Sequence, residues 1–352
     1  MIDGHNDVLT RLHDDGAADD ALLHEGTAAI TVPSARAGGL AAGFFAVLPP
    51  AGDFVVERSG GGYAIPYAPS VPWEEAARTV GALAARLMRV LGACGGAVRL
   101  VRHVADLDAC LAGEALGVIL HMEGAEAIDP ELDALEVWYA AGLRSLGPVW
   151  SRANAFGHGV PFRFPSTPDT GPGLTPAGVR LVRRCAGLGI AVDLSHLNAG
   201  GFWDVARELD GPLIASHSGV HALCPSARNV TDDQLDAIAA SGGLVGINFD
   251  VGSLREDGAD DPDTPVDRIA EHARYAADRC GVDHVALGSD FDGAKTPAAV
   301  PDAAALPRVL DALGRAGFDA GEVKRIASGN WRRVLAEAWR PSSAAESPSG
   351  GS

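Results

Sequence analysis

The 352-residue chain carries 46 acidic against 28 basic side chains, a formal net charge of −18. That balance excludes nucleic acid and an anionic membrane surface as partners, because both select a basic face. Hydrophobic residues at 47% and charged residues at 21% are those of a globular protein with a sizeable core, and no stretch is apolar for long enough to span a bilayer.

Apolar runs of strand length alternate with longer segments of helical period, the pattern of a parallel α/β fold. In chain order the predicted strands are "MIDGHND", "LAAGFFAVL", "ALGVILHMEG", "LRSLGPVW", "GIAVDLSH", "PLIASHS", "GLVGINF" and "HVALGSDF". Between them lie helical segments such as "PWEEAARTVGALAARLMRVLGA", "TPAGVRLVRRCAGLG", "TDDQLDAIAASGG" and "PVDRIAEHARYAADRCG", several opening on Thr or Pro and closing on Gly. Eight such units predict a single (β/α)8 TIM barrel over residues 1–340, in which active sites gather at the carboxyl ends of the strands.

The segment from Pro49 to Pro72 is too rich in Gly and Pro to predict a regular element, and it reads as a lid or pocket wall. Residues 341–352 read as a disordered tail. The opening lacks a basic region followed by an apolar run, so a cytoplasmic protein is expected. The five cysteines, Cys94, Cys110, Cys185, Cys224 and Cys280, are odd in number and lack CxxC spacing, which predicts reduced thiols and neither a disulfide framework nor a zinc knuckle.

The polar residues fall at strand ends. His5 and Asp7 end strand one, Glu123 ends strand three, His196 and His217 follow strands five and six, and Asp290 ends strand eight. Residues two apart on a strand share a face, so His5 and Asp7 can hold one ion together. Imidazole nitrogens and carboxylate oxygens on one barrel rim, without thiolates, suit a hydrolytic zinc site with open positions. Three histidines and two carboxylates supply two Zn2+ ions if one carboxylate bridges. Because Lys295 and Lys324 lie beyond strand eight, no carboxylated lysine serves, and the bridge is expected at Glu123 together with a water or hydroxide. The same ligands accept cobalt, manganese or iron.

The segments "IDGHND", "MEGAE", "DLSH", "IASHSGVHALCPSARNVTDDQL" and "ALGSDFDG" resemble, in that order and over nearly the whole chain, the membrane (renal) dipeptidase family, the M19 zinc peptidases among the amidohydrolase-like barrels. The resemblance implies that His5, Asp7 and Glu123 bind one zinc while Glu123, His196 and His217 bind the other. It implies Asp290 as the acid/base that takes a proton from the water and delivers it to the leaving amine, and Arg228 as the partner of the substrate's terminal carboxylate. A guanidinium fork suits that group.

Two departures stand out. Where the family carries a Thr-His-Ser or Thr-His-Asn run after strand four, this chain reads "GPVWSRANAFGHGVPF", with Trp150 at the position of the substrate-holding histidine. Arg152 and His158 are the neighbours that could supply the missing donor, and Trp150 would narrow the substrate pocket. Asp250 in "INFDVG" stands where a tyrosine is frequent and joins the substrate-binding candidates.

The resulting expectation is a zinc-dependent dipeptidase acting on a small peptide, with no nucleic acid or membrane partner and a homodimer left open. The alternatives are a related amidohydrolase for an N-acyl amino acid or modified peptide, and a metal-binding paralogue without activity.

Overall fold

The computed structural model describes residues 1–49, 52, 55–59 and 61–341; the tail expected at 341–352 lies outside them except for Pro341. Eight parallel strands form the barrel. Strands one to five, Ile2–Asn6, Ala42–Val47, Leu116–Glu123, Leu143–Gly147 and Ala191–Val192, pair in sequence, as do strands six to eight, Ile214–Ser218, Leu244–Ile247 and Val285–Leu287. Parallel bridges Asp193↔Ile214 and Asn6↔Phe291 join the two sheets and close the ring. Each strand lies within its predicted run, so the TIM-barrel expectation holds.

Strand alternation separates two apolar layers. Ile2, Ala42, Phe44, Ile119, Ala191, Ile214, Leu244 and Ala286 fill the barrel interior with Trp331, whose indole N–H donates to Leu287 O at 3.0 Å. Phe45, Val47, Val118, Leu120 and Met122 point outward against the helices. On strand three, Ile119, His121 and Glu123 therefore share the inner face, leading from the apolar floor to the rim.

Strands one and six solve a phase problem. Ile2 and Ile214 face inward, and strict alternation would turn His5 and His217 outward. The pairing register shifts between Asp3 and Asn6 and between Ala215 and Ser218, which inverts the facing beyond that point and aims both histidines at the barrel axis.

The helices begin and end as their punctuation predicts. Thr175 caps Pro176–Leu188 by accepting from Gly178 N, and Gly189 ends it at φ +73°. Thr231 and Gln234 form a reciprocal cap on Asp232–Ala240.

Two features depart from the sequence reading. Val98–Leu100 is an added parallel strand beside strand three. Within the segment Pro49 to Pro72, Glu57–Ser59 and Gly62–Ala64 form an antiparallel hairpin, and the second of these pairs with Arg163–Phe164 from the loop after strand four. Gly61 at φ +81° makes the tight turn, and the partner strand, distant in sequence, supplies the ladder that local composition could not forecast. The five cysteines are free, as expected.

Candidate active site

Three imidazoles converge on one carboxylate oxygen. Glu123 Oε1 lies 2.9 Å from His196 Nε2, 3.4 Å from His217 Nε2 and 3.6 Å from His5 Nε2. His5 Nε2 also lies 3.8 Å from Asp7 Oδ2, His196 and His217 approach Nε2 to Nε2 at 3.2 Å, and the His5 and His217 rings stack at 3.9 Å. His5, Asp7 and Asp290 form a second cluster with ligand atoms within 4.8 Å of one another. All five predicted ligands are buried.

Burial is costly for such groups unless a partner compensates. It drives the His196 and His217 pKa values well below the ordinary imidazole value and raises that of Glu123. For His5 burial opposes the charge, yet the Glu123, Asp7 and Asp290 carboxylates outweigh it and push the pKa up to about 10. His5 Nδ1 and Asp7 Oδ1 are buried with no hydrogen-bond partner among the described residues. The His196 and His217 imidazoles, held neutral by burial and packed nitrogen to nitrogen beside the Glu123 carboxylate, with His5 drawn to the carboxylates, make a nitrogen and oxygen donor set whose chemistry fits a divalent metal.

Asp290 projects from strand eight with φ +61°, its N–H donating to His5 O at 3.0 Å. Asn248 Nδ2 donates to its Oδ2 at 3.2 Å, and burial raises the carboxyl pKa to about 6. Gly293 in "SDFDG" admits no side chain, since a Cβ would lie 1.9 Å from Asp7 Oδ2 and 2.5 Å from Asp290 Oδ1.

These groups open into a cavity of about 390 Å³ whose lining includes Asp7, Glu123, His196, Arg228, Asp250 and Asp290. The buried Arg228 guanidinium donates to Ser195 O and, at 3.2 Å, to His217 O, leaving three N–H donors without a partner among the described residues. Asp250 caps the short helix Val251–Leu254, accepts from Ser253 Oγ at 2.5 Å, and is held above the usual carboxylate range by burial. Val56, Arg58, Tyr63 and Ile65 from the hairpin segment form a wall of the same cavity.

Trp150 also lines the cavity, its ring 5.8 Å from His196 and 5.5 Å from Phe162. Arg152 and His158 do not. The Arg152 guanidinium lies over Trp150, 4.9 Å from its ring centre, with Nε 3.2 Å from Glu126 Oε1. His158 Nδ1 lies 3.2 Å from Gly173 O. Of the two neighbours expected to supply a strand-four donor, neither therefore stands in the cavity lining, whereas Trp150 does.

Several residues of the site were not singled out in the sequence. Ser151 Oγ meets His196 Nδ1 at 2.8 Å, Ser216 Oγ meets His217 Nδ1 at 2.8 Å, and Asn248 holds Asp290. Only their nearness to residues already singled out, in "WSR", "SHS" and "INFD", signalled them.

Residues 1–349 match the membrane dipeptidase family, peptidase family M19. The chain belongs to that family. The structure of a metallo-peptidase of the same family, dipeptidase AC, shares 43% identity with it at a TM-score of 0.90, covering 96% of this chain and 98% of that one. A Rhodobacter sphaeroides metallo-peptidase, solved with a phosphinate mimic of the dipeptide L-Ala-D-Ala, shares 42% identity at a TM-score of 0.90, covering 96% and 99%. A Klebsiella pneumoniae protein described only as lying in the pqqA 5′ region is 45% identical over 254 residues, 72% of this chain and 94% of the relative. This membrane dipeptidase family member is a metal-dependent dipeptidase by family and fold, and among its described residues no helix is long and apolar enough to cross a membrane.

Proposed function

We propose that this chain, as one catalytic unit over residues 1–340, hydrolyses the amide bond of a free dipeptide with two zinc ions. His5, Asp7 and Glu123 would hold one and Glu123, His196 and His217 the other. The observation that carries this reading is the convergence of three Nε2 atoms on Glu123 Oε1 inside the cavity that also presents Arg228 and Asp290. When bound, the two ions supply Lewis acidity toward the scissile carbonyl and acidify a water.

The chain's own residues do the rest. Arg228 offers its remaining N–H donors to the terminal carboxylate, a charge-assisted and bidentate contact. Asp290, with a pKa raised to about 6 and one oxygen held by Asn248, can accept a proton from water and return it to the leaving amine near neutral pH. Trp150 and Phe162 bound the cavity beside His196 and exclude water from that side. Asp250 and Tyr63 line the same cavity and shape the space around the carboxylate end.

The dipeptide mimic bound by the Rhodobacter sphaeroides relative supports an L,D-dipeptide among the substrates. Free thiols agree with a reducing, cytoplasmic setting. Trp150 in place of the family's histidine favours, as a second reading, an N-acyl amino acid or modified peptide. Turnover of L-X-L, L-X-D and N-acyl substrates, measured before and after chelation and zinc return, tests both. Dipeptide turnover that survives full metal removal would overturn the mechanism, and turnover confined to N-acyl substrates would favour the second reading.

A further inference from the structure

Below the candidate metal ligands, on the inner face of the barrel, lies the buried carboxylate that opens "DLSH" and to which the mechanism above gives no role. Asp193 Oδ1 accepts from Ser195 N at 3.1 Å, Ser216 N at 2.9 Å and Ser195 Oγ at 2.7 Å, and Asp193 Oδ2 accepts from Ser216 Oγ at 2.6 Å. We propose that Asp193 is a positioning residue that decides, through the hydroxyl of Ser216, which nitrogen of His217 carries the proton, so that Nε2 presents its lone pair on the side of Glu123. The inference rests on the reading of His217 as a metal ligand.

The argument is a count of protons. An ionised carboxylate only accepts, and the two hydroxyl contacts of 2.6 and 2.7 Å have the length of charge-assisted O–H···O bonds. A serine hydroxyl has one proton. Ser216 gives its proton to Asp193, so toward His217 Nδ1 at 2.8 Å it can only accept. The imidazole must then carry its proton on Nδ1, and the lone pair of Nε2 is left pointing to Glu123 Oε1, 3.4 Å away. Were Asp193 neutral or absent, the Ser216 proton would be free to turn toward Nδ1 and favour the tautomer with its proton on the metal-facing nitrogen.

The same carboxylate fixes the backbone of this residue. Ser195 Oγ, having donated to Asp193, accepts the main-chain N–H of His217 at 3.0 Å. Ring and backbone are thereby set from one charge. Because the His5 ring stacks on His217 at 3.9 Å, that orientation is passed to the ligand on strand one.

The test uses the full chain with Asp193→Asn, Ser216→Ala, the double variant and Ser195→Ala. In chelator-treated wild type labelled with 15N-histidine, with the His217 signals assigned by His217→Gln, the Nδ1–H tautomer is expected. Asp193→Asn and Ser216→Ala should lose that signature and bind zinc about 10-fold to 100-fold more weakly in chelator competition, the usual effect of removing a ligand's hydrogen-bond partner. The double variant should lose no more than the worse single, since both act through one relay. Ser195→Ala, which touches no ring nitrogen, should keep the tautomer. An Nε2–H tautomer in wild type, unchanged zinc affinity in Ser216→Ala, or losses that multiply in the double variant would overturn the proposal. Should Asp193→Asn fail to fold, Ser216→Ala, lacking one hydroxyl, carries the test alone. The tautomer is read without metal, so failure of the dipeptidase reading would appear separately, as absence of turnover in zinc-loaded wild type.

Discussion

Arg152 Nε lies 3.2 Å from Glu126 Oε1, both side chains 1% exposed, with the guanidinium over the ring of Trp150. The pair occupies the ground between strands three and four, where it holds the aromatic wall of the cavity in place. Removing one member of a buried pair leaves the other charge uncompensated, at a cost of about 3 to 5 kcal/mol. Arg152→Ala should therefore lower unfolding stability, and Arg152→Met combined with Glu126→Gln should recover most of it. His158→Ala, outside the cavity lining, should leave kcat unchanged. Denaturant titration beside steady-state kinetics checks all three, and a loss of kcat in His158→Ala at unchanged stability would return that histidine to the reaction.

Glu123 and Asp290 share the cavity, and the proposed mechanism gives them different tasks. Glu123→Gln should lose metal and turnover together, because its Oε1 is the point on which three imidazoles converge. Asp290→Asn should retain the metals and lose turnover by about 100-fold or more, the scale of general acid/base catalysis. Metal analysis of the purified variants decides, and equal metal loss in both would contradict the division.

Arg228 is judged by its effect on the substrate's charged end. Arg228→Met should raise KM for free dipeptides far more than for their C-terminal amides. A desolvated carboxylate pair is worth about 2 to 5 kcal/mol, roughly 30-fold or more. Similar losses on acid and amide would assign Arg228 to holding Ser195 O and His217 O alone.

His272, away from the metal ligands, gives a clean pH dependence. Its Nδ1 accepts from Val220 N at 2.9 Å, so Nε2 carries the proton and donates to Leu254 O at 3.0 Å. Burial lowers its pKa to about 4 from the ordinary imidazole value of 6.5. Between those values the unfolded chain binds more protons than the folded one, so stability rises with pH across the window. The contribution is complete above pH 6.5 and is lost as pH falls toward 4, by about 3 kcal/mol at most. His272→Gln should flatten the pH dependence of Tm between pH 4 and 6.5 relative to wild type. A parallel pair of curves would remove His272 from acid sensitivity.

Trp150 sets one wall of the substrate space, 5.8 Å from the His196 ring. Trp150→Ala should widen that side and admit bulkier dipeptides, raising kcat/KM for large side chains relative to small ones. A substrate profile unchanged in shape would show that the wall does not contact the substrate.

Short apolar runs and Gly-ended helices sufficed to predict eight strands in their true positions, because barrel strands buried on both faces must be apolar almost throughout. The candidate ligands were legible as a group, since His5, Asp7, Glu123, His196 and His217 all stand at or just beyond the carboxyl ends of strands, where a barrel gathers its chemistry. What the tertiary structure decided was facing and partnership. Whether His5 and His217 point inward depends on register shifts with neighbouring strands, which no local pattern encodes. The fate of Arg152 turned on Glu126, 26 positions earlier, and the hairpin Glu57–Ser59 and Gly62–Ala64 needed Arg163–Phe164 to complete its sheet. Asp193, readable only as one more acid in "DLSH", gained its place from two serines on two strands. Local sequence fixes periodicity and chemical type, whereas hydrogen-bond direction and ion pairing between distant segments arise only when the closed barrel brings them within about 3 Å.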